Sequence, residues 1–124
     1  MKDNRPVNLD LTTFKYPLPA IVSILHRLSG SFIFFGVALM LYLLDLSLQS
    51  EAGFDRVIEL LDGVFVKFLA WAVLAGLLFH LIAGLKHLLL DMGIGESIDG
   101  GLMGARLTLV FSAIGMIIAG IWIW

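Results

Sequence analysis

Three histidines, a serine and an arginine stand in or beside otherwise apolar runs of this chain. His80, Gly84 and His87 are spaced by four and three residues, which puts them on one stripe of a helix, and Ala72 and Gly76 carry that stripe backwards. Ser23, His26 and Arg27 lie close together in Ser23-Ile24-Leu25-His26-Arg27-Leu28-Ser29-Gly30. Polar and ionisable side chains in such surroundings are costly and point to function by default. A neutral imidazole is a common ligand of haem iron, and glycine one turn from His80 leaves room for a flat macrocycle. The alternative is that His80 hydrogen-bonds a neighbouring helix and the small residues only let helices approach. Ser23 and Arg27, four residues apart, share a helix face on which a hydroxyl and a guanidinium converge. That pair suits a polar head group on an apolar tail. The alternative is that Arg27 extends to the lipid phosphates. His26 is rotated to one side of both. His87 and Lys86 either pair with carboxylates or reach the membrane surface. Asp91 sits at a helix end where the dipole disfavours a carboxylate, so it pairs with Lys86 or a partner protein, or is solvated.

The elements that position these residues follow from composition. Of 124 residues, 60% are hydrophobic and 15% charged, and the mean hydropathy is +1.00. Soluble domains carry about 25% charged residues, and a chain this small cannot bury so much apolar surface in water. Three stretches, about 21–48, 64–90 and 105–124, each reach the roughly 20 residues that cross the hydrocarbon of a bilayer as a helix. The first is no cleavable signal: it begins late, runs long and lacks a small-residue cleavage site. The fold class expected is all-α, with three transmembrane helices in a single membrane-anchor domain over residues 1–124. Pro17 and Pro19 lead into the first helix. In residues 49–63, Phe54, Val57, Ile58 and Leu61 recur at helical spacing, with Glu51, Asp55, Glu59 and Asp62 elsewhere, which predicts a short amphipathic helix on the membrane surface. Residues 91–104 hold five glycines and read as a loop, so the Gly-x-x-x-Gly at Gly100–Gly104 counts for little as a packing motif. Asp45 and Tyr42 are expected near the outer interface, and Gly115 and Gly120 at packing positions.

Charge placement sets the expected topology. Lys2, Arg5 and Lys15 precede the first helix, Arg27 lies just inside it, and Lys86 and Arg106 flank the second loop. The first loop has Arg56 and Lys67 among four acids. The positive-inside rule puts the N-terminus and second loop in the cytoplasm and the C-terminus outside, with Trp122 and Trp124 in the outer aromatic belt. The net charge of −2 offers no basic face for nucleic acid. With no cysteine, the chain forms no disulfide, thiolate metal site or iron–sulfur cluster of its own.

Two segments together carry a resemblance. Arg5-Pro6-Val7 with the Ser23–Gly30 segment, and His80-Leu81-Ile82-Ala83-Gly84-Leu85-Lys86-His87-Leu88-Leu89-Leu90-Asp91-Met92-Gly93, are similar to the two signatures of the larger cytochrome b (b556-type) membrane anchors of bacterial succinate dehydrogenase, respiratory Complex II. The likeness runs over nearly the whole chain. It implies a subunit of succinate:ubiquinone oxidoreductase in the bacterial inner membrane, with succinate oxidised by a flavoprotein subunit and electrons delivered by an iron–sulfur subunit. It implies haem b shared with a second haem-ligating anchor subunit. His80 is then the axial iron ligand, with His26, Gly84 and His87 as haem contacts. It further implies ubiquinone as substrate at Ser23, Ile24 and Arg27, and no catalytic residue for succinate. The chain departs from the family pattern at Lys86, usually arginine, and at Leu90, often aromatic or methionine. Lysine lacks the planar fork of arginine, which puts any bidentate role at position 86 in doubt. The rival readings are a quinol:fumarate reductase anchor of the same architecture, a haem-free scaffold for a peripheral enzyme, and a small transporter subunit. The last lacks the internal repeats or broken helices common in transport folds.

Overall fold

The computed structural model describes residue 4 and residues 6–124, and among them all regular structure is helical. Lys2 and Arg5, used above for topology and resemblance, lie outside the described residues. Four helices follow in order: α1 (Leu18–Gln49), α2 (Glu51–Asp62), α3 (Val64–Asp91) and α4 (Ile98–Ile123). α1, α3 and α4 have 32, 28 and 26 residues and are apolar enough to cross a membrane. At 1.5 Å per residue the shortest is about 39 Å long, more than the roughly 30 Å of bilayer hydrocarbon.

Local chemistry explains the ends. Pro17 caps α1 in an extended conformation, and Pro19 falls in its first turn, where the missing N–H costs nothing. Ser50 separates α1 from α2 and caps the latter, its Oγ accepting from the Gly53 N–H at 3.0 Å. The close approach of α2 to the end of α1 is possible because Gly53 lies directly against the Leu46 carbonyl, where no Cβ fits. Val57 is buried and Leu61 half-buried, while Phe54 and Ile58 remain exposed. The expected apolar stripe of α2 is thus divided between the bundle and its surroundings. Arg56 pairs with Glu59 along the helix, and Lys67 approaches Asp62 at 4.0 Å across the turn into α3.

The α3–α4 connection differs from expectation. The loop is only 92–97, and Gly100, Gly101 and Gly104 lie inside α4. Ser97 accounts for this: its Oγ accepts from the Gly100 N–H at 3.0 Å, and Asp99 in the first turn complements the helix dipole. Gly93 and Gly95 supply the turn, with φ of 79° and 78°. Gly104 therefore does have a packing role. A Cβ there would lie 3.5 Å from Lys86 Cγ, and the Lys86 side chain occupies the space beside it. Lys86 is buried and joins no ion pair among the described residues, so neither expected alternative, a carboxylate partner or the membrane surface, describes it; its stem lies against α4 because glycine leaves the room.

α1, α3 and α4 all touch one another, so the three spans form a triangular up-down-up bundle. Val22, Phe79, Ala83 and Ala105 form the tight centre at the end where α1 begins. Lipid supplies little hydrophobic drive between spans, so close approach matters. A Cβ on Gly36 would lie 2.7 Å from Val73 Cγ2, and one on Gly76 2.9 Å from Phe32. Gly76 thus receives a phenylalanine ring from α1. At the opposite end Trp71 Nε1 donates to the Met116 carbonyl at 2.9 Å, and Trp124 stands edge-on to the same indole. Gly120 packs against that indole. Asp45 is exposed and accepts from Gln49 at 2.9 Å.

Candidate functional site

His26 lies eight residues after the start of α1, and His80 eleven before the end of α3. Antiparallel packing brings them to the same level. Their rings stack with centroids 4.1 Å apart and planes inclined by 16°, and His87 adds a third ring 5.1 Å from His26. His26 and His80 lie face to face, and the His87 ring is tilted by 44° to His26. Among the described residues no group of three His or carboxylate side chains is placed to hold a bare metal ion.

His80 is the most constrained of the three. Its Nδ1 is 3.1 Å from the His26 carbonyl oxygen and 3.0 Å from Ser29 Oγ. Ser29 Oγ in turn donates to that same carbonyl at 2.7 Å. A carbonyl only accepts, and the serine proton is already used, so the network assigns the His80 proton to Nδ1. Nε2 then carries an in-plane lone pair, which a ring stacked on the face does not cover. This is the tautomer and second-shell support typical of a metal-ligating imidazole. Gly30 completes the setting, since a Cβ there would lie 3.0 Å from His80 Cε1.

The three imidazoles line a groove of about 400 Å³ with Leu81, Gly84, Leu85 and Leu88. Leu81, Leu85 and Leu88 form one exposed stripe along it. Over Gly84, His26 Nε2 lies 3.4 Å from where a Cβ would stand, so the edge of that ring uses the space the glycine leaves. One wall of the groove is therefore polar and ordered, and its outer flank is apolar and open.

The family described as succinate dehydrogenase/fumarate reductase transmembrane subunit matches residues 1–119. The chain belongs to this family. It is similar to a succinate dehydrogenase cytochrome b556 subunit of Coxiella burnetii, 43% identical with the whole of both chains covered. A cytochrome b556 subunit of Paracoccus denitrificans is 33% identical over 79% of this chain and 75% of the relative. A cytochrome b560 subunit of Reclinomonas americana is 29% identical over 95% and 88%.

In this transmembrane subunit, Ser23 is half-buried, and Ile24 and Arg27 are exposed on the first turns of α1. They lie at the same end of the bundle as the histidines, Ser23 just under one turn before His26 and Arg27 directly after it. His87 joins the imidazole cluster. Lys86 faces α4, away from that cluster, and neither of the ion pairs among the described residues includes it. Asp91 is exposed. Ser29 and Gly30 received no role from sequence, although they follow His26 by three and four residues and so share its helix face. That spacing was the available signal.

Proposed function

We propose that this chain is the haem-bearing, quinone-binding membrane anchor of a succinate:ubiquinone oxidoreductase. The observation that carries this reading is the double engagement of His80 Nδ1, which presents Nε2 as a ligand on a partly buried helix face. The donor set fits haem b: one neutral imidazole in a fixed tautomer, seated in the room that Gly30 leaves for it, and an apolar flank. Bound haem supplies one-electron redox chemistry. His80 would hold its iron, Ser29 and the His26 carbonyl would keep the ring oriented, and His26 and His87 would line its edge. The open Leu81–Leu85–Leu88 stripe is an apolar face on which a second anchor subunit would close the groove and supply a further ligand to the iron.

Ser23 and Arg27 then serve the quinone. A quinone accepting electrons develops negative charge on oxygen, and a charge-assisted hydrogen bond to such an oxygen contributes about 1.5–3 kcal/mol. Arg27 supplies that charge, the Ser23 hydroxyl orients a carbonyl, and Ile24 gives an apolar neighbour. Succinate chemistry belongs to flavoprotein and iron–sulfur subunits, since this chain has no cysteine. By the distribution of lysine and arginine, the bundle end carrying Ser23 and Arg27 would face the cytoplasm, from which electrons and protons would arrive. The family description also covers fumarate reduction, but the relatives are named for succinate dehydrogenase, which favours oxidation.

Arg27→Ala or Ser23→Ala should lower quinone reduction by the assembled complex about tenfold or more, leaving succinate oxidation by a soluble dye intact. Normal quinone turnover in both variants would remove them from the site. His80→Ala should abolish the low-spin haem b spectrum, and an unchanged spectrum and haem content would remove His80 as ligand.

A further inference from the structure

Lys86 has no task in the haem or the quinone reading. It is 9% exposed, and among the described residues its ammonium takes part in no hydrogen bond or ion pair. A lysine so enclosed in a membrane span is costly unless an anion answers its charge. Asp91, Glu96 and Asp99 stand near the same end of the bundle, but all three are exposed and join neither ion pair. Among the described residues, Ser112 Oγ alone is a buried side-chain polar atom both sealed from contact and without a partner. The Lys86 ammonium is therefore open to what lies in front of it.

Lys86 lines a groove of about 370 Å³ between α3 and α4, walled by Ile82, Leu89, Met103, Leu107 and Phe111. The last four are exposed, so the groove opens towards lipid. Its small residues are already used. The Lys86 stem fills the space over Gly104, and a Cβ on Gly100 would lie 2.9 Å from Gly95 Cα. Thr108 is buried. No free stripe of small residues is left on which another spanning helix could dock.

Depth orders the charges. α3 has 28 residues and is about 42 Å long, which leaves about 6 Å beyond the hydrocarbon at each end. Lys86 is five residues before the end of α3, about 8 Å, and so stands at the hydrocarbon boundary. Phe111 is 13 residues after the start of α4, about 20 Å, near the bilayer middle. The sequence inwards is thus carboxylates at 91–99, a cation, then an apolar trough. A phospholipid with an amine headgroup offers the complement: amine outermost, phosphate beneath it, acyl chain below. A quinone has no cation to answer the carboxylates, and a lipid of net negative charge would be repelled by them.

We propose that this groove binds one phospholipid with an ethanolamine headgroup, its phosphate on the Lys86 ammonium and an acyl chain along Leu107 and Phe111. Basic pockets between spanning helices are a known setting for lipid head groups. The site lies across Leu85 from the imidazole groove, since that leucine lines both, and it depends on neither haem nor quinone.

The test strips lipid from the intact complex in mild detergent and adds phosphatidylethanolamine carrying a diazirine on one acyl chain. After irradiation the labelled peptides are mapped, and label is expected at 82–89 and 107–111. Lys86→Met keeps a stem over Gly104 without the charge and should lower that label about tenfold or more. Lys86→Arg still holds a phosphate and should keep it. Leu107→Trp fills the groove and should lower the label with Lys86 intact, which decides the matter if Lys86→Met fails to assemble. Unlabelled phosphatidylethanolamine should compete, and phosphatidylglycerol of the same chains should compete less well. A groove without label, or label unchanged in Lys86→Met or in Leu107→Trp, overturns the proposal. Equal competition by phosphatidylglycerol also overturns it. So does a carbodiimide cross-link from Lys86 to another subunit, which would identify a protein carboxylate as its partner.

Discussion

The Nδ1 of His80 on α3 lies 3.1 Å from the backbone carbonyl of His26 on α1, so one histidine's main chain fixes the other's side chain. The contact spans 54 residues of sequence, and Ser29 reinforces it from the same helix. The His80 ring is thereby held by the α1–α3 interface and not by its own helix alone.

Ser29→Ala removes one of two partners from His80 Nδ1 and leaves the His26 carbonyl. The imidazole stays in the ligating tautomer but is held less firmly. Outer-shell losses of this kind typically cost about 10–100-fold in metal affinity or activity. Haem retention during detergent washing should fall by an amount in that range, with the absorption spectrum of the retained fraction still low-spin. Retention equal to wild type would show that the carbonyl alone suffices.

Glycine substitutions separate packing from mere helix content. Gly30→Ala puts a Cβ 3.0 Å from His80 Cε1 and should perturb the haem spectrum. Gly36→Ala meets Val73 at 2.7 Å and should cost about 1–3 kcal/mol by overpacking. Gly101, in α4, has nothing within 4 Å, so Gly101→Ala should stabilise by about 0.5–1 kcal/mol. Thermal unfolding of the purified complex should rank Gly101→Ala above wild type and Gly36→Ala below it.

Trp71→Phe deletes the indole N–H that reaches the Met116 carbonyl at 2.9 Å. That carbonyl remains in its α4 ladder, so the loss should be only about 1 kcal/mol. A small drop in the midpoint of unfolding should accompany unchanged quinone activity, because Ser23 and Arg27 lie at the other end of the bundle.

The topology predicts which ends meet the cytoplasm. Ile94→Cys, in the exposed 92–97 loop, should react with a membrane-impermeant maleimide only in inside-out vesicles. A cysteine at Trp124 should react only in right-side-out ones. The reverse pattern would invert the placement of Ser23 and Arg27.

Much of the architecture was legible because hydrocarbon leaves a chain few choices. Apolar length dictated three spans, prolines marked the start of α1, and the spacing of Val57 and Leu61 announced α2. The start of α4 was not legible: glycine counts as a loop signal, and only Ser97 capping together with Lys86 packed over Gly104 shows why a helix tolerates three of them.

His80 and the Ser23–Arg27 pair stood out from sequence alone because charge and imidazole are costly beside lipid, whatever surrounds them. What each atom does was decided by tertiary structure. Ser29 and Gly30 are unremarkable as letters, since a small residue on an apolar helix usually only packs. Their meaning comes from a neighbour brought in by another helix: an imidazole nitrogen at 3.0 Å, and a ring carbon 3.0 Å from an absent Cβ. Sequence fixes how expensive a side chain is in the membrane, and only the packing of three helices determines what compensates it.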